Sequence, residues 1–88
     1  MGNLQQAKEY YERALDITLK KFGPEHAAVA RTYNTLGGVH REMGNLHQAK
    51  KYYERALDIR LRRLGSEDID VKRTYKMLDA VQNALEEQ

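Results

Sequence analysis

No cysteine occurs in this chain, so it can hold no disulfide framework, thiolate nucleophile or zinc-thiolate site. That absence fits a reducing compartment, and a cytoplasmic location is the expectation. Long apolar runs are missing as well: none approaches the roughly 20 residues that a membrane-spanning helix needs. Met1-Gly2-Asn3-Leu4 lacks the basic and apolar regions of a signal peptide, and no membrane partner is expected. Excess charge of one sign is also absent, since 15 Lys and Arg against 13 Asp and Glu leave a formal charge of +2. Proteins that live on nucleic acid usually carry a strongly basic balance, so no nucleic-acid partner is expected from the total. The single proline, 41% hydrophobic and 32% charged residues suit a globular helical chain better than a disordered one. At 88 residues it makes one small domain, spanning 1–88, with a high surface-to-volume ratio and modest stability.

What the chain has in abundance is itself. The stretch from Met1 to Ile17 returns at Met43 to Ile59, changed only at Gln5/His47 and Glu9/Lys51, a period of 42 residues. The echo continues downstream, where Lys21-Phe-Gly-Pro-Glu25 parallels Arg63-Leu-Gly-Ser-Glu67 and Arg31-Thr-Tyr33 parallels Arg73-Thr-Tyr75. A repeat of this length implies stacked helical units in which each buries its apolar face on a neighbour. Within one period the apolar residues follow helical spacing, first Leu4, Ala7, Tyr11, Ala14 and Leu15, then Val29, Tyr33, Leu36, Val39 and Met43. Gly23 and Gly65 read as helix stops, Ser66 as a helix cap, Pro24 as a residue near a helix start and Gly44-Asn45 as a short turn. The spacing predicts helices at about 3–22, 26–43, 45–64 and 68–86, each antiparallel to the next.

Tyr33, Leu36, Gly37, Gly44, Ala49, Tyr53 and Ala56 match the spacing of a tetratricopeptide repeat, and Ala7, Tyr11 and Ala14 repeat its second half. The chain resembles that family along nearly its whole length. The 42-residue period, with a lengthened second helix, is similar to the subtype found in kinesin light chains and related scaffold proteins. The resemblance implies an all-α fold of antiparallel helix-turn-helix units in a short right-handed solenoid. A repeat of the family begins with its first helix, so the order here is B-A-B-A, as in a segment of a longer array. Packing is expected from Ala7, Tyr11, Ala14, Tyr33, Leu36, Gly37, Ala49, Tyr53, Ala56, Tyr75 and Leu78. Adjacent residues on a helix point about 100° apart, so Tyr10 and Tyr52 are expected between repeats or on the outer surface. In the last helix Asp79 and Gln82 stand where Gly37 and His40 stand, as befits a solvated capping helix.

The search for chemistry yields no catalytic residue. Ser66 is the only serine and has no base or orienting carboxylate in view. His40 and His47 are separated by the Gly44-Asn45 turn and lack a third ligand, so neither metal nor cofactor is expected. Gly37-Gly38 lacks the spacing and lysine of a phosphate loop.

Binding remains. In tetratricopeptide arrays the first helix of each repeat lines a concave groove, and the resemblance therefore implies groove residues Arg31, Asn34, Gly38 and Arg41, then Arg73, Lys76, Ala80 and Asn83. Such a basic groove favours a protein or peptide partner with acidic character or a free carboxyl terminus. Two alternatives stay open. One is self-association through the uncovered first helix, as a homo-oligomer or a helix-swapped dimer. The other is binding of nucleic acid or an anionic surface through Arg60-Leu-Arg-Arg63, a run that also reads as ordinary solvated charge at a helix carboxyl end.

Overall fold

The computed structural model describes residues 3–88, and Met1 and Gly2 lie outside the described residues. Four α-helices follow one another: α1 (Leu4–Phe22), α2 (Ala27–Glu42), α3 (Leu46–Leu64) and α4 (Ile69–Glu86). The chain folds as an all-α helical repeat, and each helix packs chiefly on its neighbours in chain order. The resulting slab measures 34 × 30 × 17 Å.

Local chemistry sets the helix ends. Gly23 and Gly65 both adopt φ 87°, a left-handed conformation that glycine enters without a Cβ penalty. Their N–H groups donate to Leu19 and Leu61 carbonyls at 2.9 and 3.0 Å. Lys20-Lys21 and Arg62-Arg63 occupy the preceding turns, where cations meet the negative end of the helix dipole. At the amino ends the sequence expectation needs correcting. Asp68, not Ser66, caps α4, with its side chain accepting from the Asp70 N–H at 2.8 Å. The chain turns once more after Gly65, through the Asp68 N–H to Gly65 carbonyl bond. Helical backbone therefore begins two residues later than a Ser66 cap requires, and the carboxylate of Asp68 suits the positive helix end. The equivalent residue in the first period is His26, whose Nδ1 accepts from the Ala28 N–H at 3.0 Å.

The core lies on both faces of α3. On one side Ile59 packs with Val29 and Ala30 of α2, flanked by Leu15, Leu19 and Tyr33. On the other, Ala49 and Tyr53 meet Val81, with Met77, Leu78 and Leu85 around them. Gly37 is indispensable to this arrangement: a Cβ built there would stand 2.7 and 2.8 Å from Cε1 and Cδ1 of Tyr53. Removing one side chain lets the Tyr53 ring lie against the α2 backbone.

The same sequence lives two lives. In α3, Tyr52 is 8% exposed and Ile59 4%, whereas the identical Tyr10 and Ile17 of α1 are 67% and 64% exposed. Tyr52 is thus an interior residue, 6.0 Å from the Tyr33 ring and 5.4 Å from that of His40. Tyr10 meets its neighbour Tyr11, edge-on at 5.2 Å. Among the described residues α1 has none that is fully buried. It packs chiefly on α2, whereas α3 is held between α2 and α4.

Candidate functional site

A concavity lies where α2 and α4 form two walls over the carboxyl-terminal part of α3. It has a volume of about 650 Å³. From α2 come Ala27, Ala28, Arg31 and Asn34; from α3, Arg60, Arg63 and Leu64; from α4, Asp70, Arg73 and Met77. Four arginines therefore face a single carboxylate. The first turns of α2 and α4 border the cleft, and the positive ends of their dipoles add partial positive charge.

Each arginine is held differently. Arg60 donates from Nη1 to Thr74 Oγ1 at 2.9 Å, and Thr74, fully buried, passes its own hydroxyl hydrogen to the Asp70 carbonyl. This chain fixes the guanidinium against α4. Arg63 donates to the Glu25 carbonyl at 3.2 Å. Arg73 has only a loose pairing with Asp70, at 3.7 Å. Arg31 makes no ion pair among the described residues. Beside it the Asn34 side-chain oxygen is buried without a hydrogen-bond partner. An orphaned acceptor of this kind is costly unless something donates to it, and a group in the cleft reaches it only once the Asn34 side chain turns outward.

The structure thus brings Arg31, Asn34 and Arg73 together and adds Arg60 and Arg63. Arg41, Lys76 and Asn83 are exposed and lie outside the cleft lining. Arg41 is ten residues beyond Arg31, about 15 Å along the helix, and stands beside the Tyr53 hydroxyl. Burial raises the Tyr53 phenol above its ordinary range, and the Arg41 charge works against that shift. On α4 the cleft face runs through Asp70, Arg73 and Met77, one helical step away from Lys76.

The basic run of α3 is divided between two tasks. Arg62 points away from the cleft and donates to Glu25 Oε1 at 2.7 Å and Asp58 Oδ2 at 2.8 Å. With Arg63 on the Glu25 carbonyl, it ties the α1–α2 connection to the end of α3. Arg60 and Arg63 were missed as cleft residues because only the crossing of the helices brings them there.

His40 occupies a second, shallower hollow bordered by Lys8, Glu12, Asn45 and His47. Its ring is 4% exposed and stacks on Tyr52. The Asn45 Nδ2 lies 3.3 Å from its Nδ1. The other ring nitrogen, Nε2, is buried and has no hydrogen-bond partner among the described residues. Burial, then the Lys8 charge, lower the His40 pKa below 6.5, while Glu12 opposes them. A folded-state pKa below the unfolded one means that the unfolded chain binds the proton first. The contribution of His40 is whole above 6.5 and is lost as pH falls through 6.5 toward the lowered value. Urea unfolding at about pH 7.5 and 5.5 is expected to show a larger loss of stability for the wild type than for His40→Gln. Equal losses would show that protonation here carries no penalty.

Among the described residues no group of three His, Cys, Asp or Glu side chains is placed to hold a metal ion. No helix among them is long and apolar enough to cross a membrane. A family model described as "Tetratricopeptide repeat" matches residues 1–62. That span covers α1, α2 and most of α3, including Tyr53 and its Gly37 seat. No curated protein matches the chain by sequence.

Proposed function

From the premise that this chain belongs to the tetratricopeptide repeat family, whose repeats generally mediate protein–protein interaction, we propose that it is a non-catalytic module that binds an extended acidic peptide. The peptide lies in the cleft between α2 and α4. The observation that carries this is the meeting of Arg31, Arg60, Arg63 and Arg73 around the unpartnered Asn34 oxygen. Arginine offers planar paired donors to carboxylates, and Asn34 would offer the peptide backbone an acceptor once its side chain turns outward. Leu64, Met77 and the alanines of α2 give an apolar floor for the stems of the bound residues. The kinesin-light-chain-like subtype rests on the 42-residue period and on Asn34 at a position that engages peptide backbone in that group, whereas Thr35, Lys76 and Met77 depart from its pattern.

A fluorescein-labelled hexaglutamate peptide, followed by anisotropy, tests the cleft. Binding is expected, weakening steeply with salt, while hexaglutamine of the same length binds far less. Equal binding of both peptides, or of neither, would remove the electrostatic basis of the proposal.

Self-association is the alternative, and the exposure of Tyr10 and Ile17 favours it. The identical residues of α3 are covered by α2, so the face of α1 is built to be covered by a helix of that kind. Of the basic run, Arg62 is already engaged by two carboxylates, which leaves Arg60 and Arg63 to the cleft.

A further inference from the structure

On the reading that the cleft between α2 and α4 binds a peptide, we infer that the group it holds best is the phosphate of a phosphorylated serine or threonine with an apolar residue beside it.

Acidic side chains that face the same way on an extended peptide are about 6.4–6.8 Å apart, so a run of them is matched by cations set out along a groove. The cations here are gathered instead. Arg41 and Lys76, which would extend the basic face along α2 and α4, lie outside the lining, whereas Arg31, Arg60, Arg63 and Arg73 share one hollow of about 650 Å³. That is the size of a pocket that encloses a single compact ligand. Among the lining residues Asp70 alone is acidic, so four guanidinium groups face one carboxylate and three positive charges remain in excess. A glutamate side chain returns one charge to such a site, and a phosphate monoester close to two at neutral pH. The phosphate also brings three acceptor oxygens where the carboxylate brings two. One multiply charged group meets this concentrated excess, where several carboxylates would have to crowd together.

The donors reach the hollow from three helices. Arg60 is fixed by its Nη1 on Thr74 Oγ1 at 2.9 Å and Arg63 by its Nη1 on the Glu25 carbonyl at 3.2 Å. Each has one nitrogen engaged in this way, which leaves Nε and Nη2 for a ligand. Because the two side chains are already held, ordering them around an anion costs little entropy. Arg31 and Arg73 come from the two walls. Arg31 makes no ion pair among the described residues, and Arg73 stands 3.7 Å from Asp70, so both can close on an anion between them. The planar fork of each fits two phosphate oxygens. Next to the cluster, Leu64 is 50% exposed and Met77 lines the α4 wall. An apolar side chain beside the phosphorylated residue covers that surface, which inorganic phosphate cannot do.

Three fluorescein-labelled hexapeptides that differ at one position, carrying phosphoserine, glutamate or serine beside a leucine, test this by anisotropy on the full chain. Hexaglutamate is the fourth probe. The phosphoserine peptide is expected to bind at least about tenfold tighter than its glutamate counterpart, the gain from one further charge-assisted hydrogen bond. The serine peptide should bind least. Arg31→Gln with Arg73→Gln should abolish the preference for phosphoserine, while Lys20→Gln, on α1 and outside the cleft lining, should preserve it. Inorganic phosphate should displace the phosphopeptide poorly. A glutamate peptide that binds as tightly as the phosphoserine peptide would overturn the phosphate assignment, while binding of hexaglutamate would leave the peptide cleft standing. Failure of both the phosphoserine peptide and hexaglutamate to bind would remove the cleft as well. Inorganic phosphate that competes on equal terms with the phosphopeptide would assign the site to the free anion. A preference that survives the double arginine variant would put the phosphate elsewhere on the chain.

Discussion

Tyr53→Ala is expected to cost about 3–5 kcal/mol, the range for removing a large buried aromatic ring, and Tyr11→Ala, within an identical stretch of sequence, only about 1 kcal/mol. Tyr53 is 2% exposed and fills the space between Gly37 on α2 and Val81 on α4. Its loss leaves a cavity walled by two helices and unseats the Gly37 contact. Tyr11 has α2 on one side and Tyr10 on the other, and its surface is partly open to water. Since small domains are stable by roughly 5–15 kcal/mol, Tyr53→Ala consumes much of that margin. Urea denaturation of the two variants side by side measures the difference. Gly37→Ala approaches the same contact from the other side and, by overpacking, is expected to cost about 1–3 kcal/mol. Equal costs at Tyr11 and Tyr53 would mean that α1 is covered in solution.

The second large effect concerns affinity. Arg31→Glu with Arg73→Glu is expected to weaken hexaglutamate binding by about a hundredfold, since each lost charged hydrogen bond is worth roughly 1.5–3 kcal/mol and about 1.4 kcal/mol is tenfold. Neither arginine supports the core: Arg31 makes no ion pair among the described residues and Arg73 only the loose one to Asp70. Stability should therefore change little, which separates loss of binding from loss of fold. Reversal at Arg62, which serves Glu25 and Asp58 on another side of α3, is the control and should leave binding nearly intact. Unchanged affinity in the double variant would reject the cleft.

The repeat and its helical character were legible because they are periodic in the chain itself, whereas the seat of Tyr53 on Gly37 came only with the structure. The 42-residue echo sets two helices in each period, and a glycine four residues beyond Tyr33 marks a close approach. Other features depend on what stands next to a residue, which identical sequence cannot reveal. Tyr10 and Tyr52 occur in the same local sequence, yet one faces water and the other His40, because α3 is held between α2 and α4 while α1 packs chiefly on α2. Likewise Arg31, Asn34 and Arg73 follow from helical spacing on α2 and α4, whereas Arg60 and Arg63 enter the cleft only through the crossing of α3 beneath both. The extension of that face to Arg41, Lys76 and Asn83 assumed a groove running the whole length of the helices. The cleft instead occupies the end where the first turns of α2 and α4 meet the last turns of α3. The Ser66 cap failed for a local reason, an additional turn that hands the role to Asp68.

The central claim is that an acidic peptide binds between α2 and α4, and its most direct test is residue-resolved. Titrating hexaglutamate into isotope-labelled protein, with amide and arginine side-chain NMR signals followed together, should perturb Arg31, Asn34, Arg60, Arg63 and Arg73 as one group, with a single dissociation constant. Signals of Arg62, Lys76 and the α1 face should stay in place. Perturbations scattered over the basic residues of every helix, or centred on Arg62 or on Lys20 and Lys21, would contradict the cleft as the binding site.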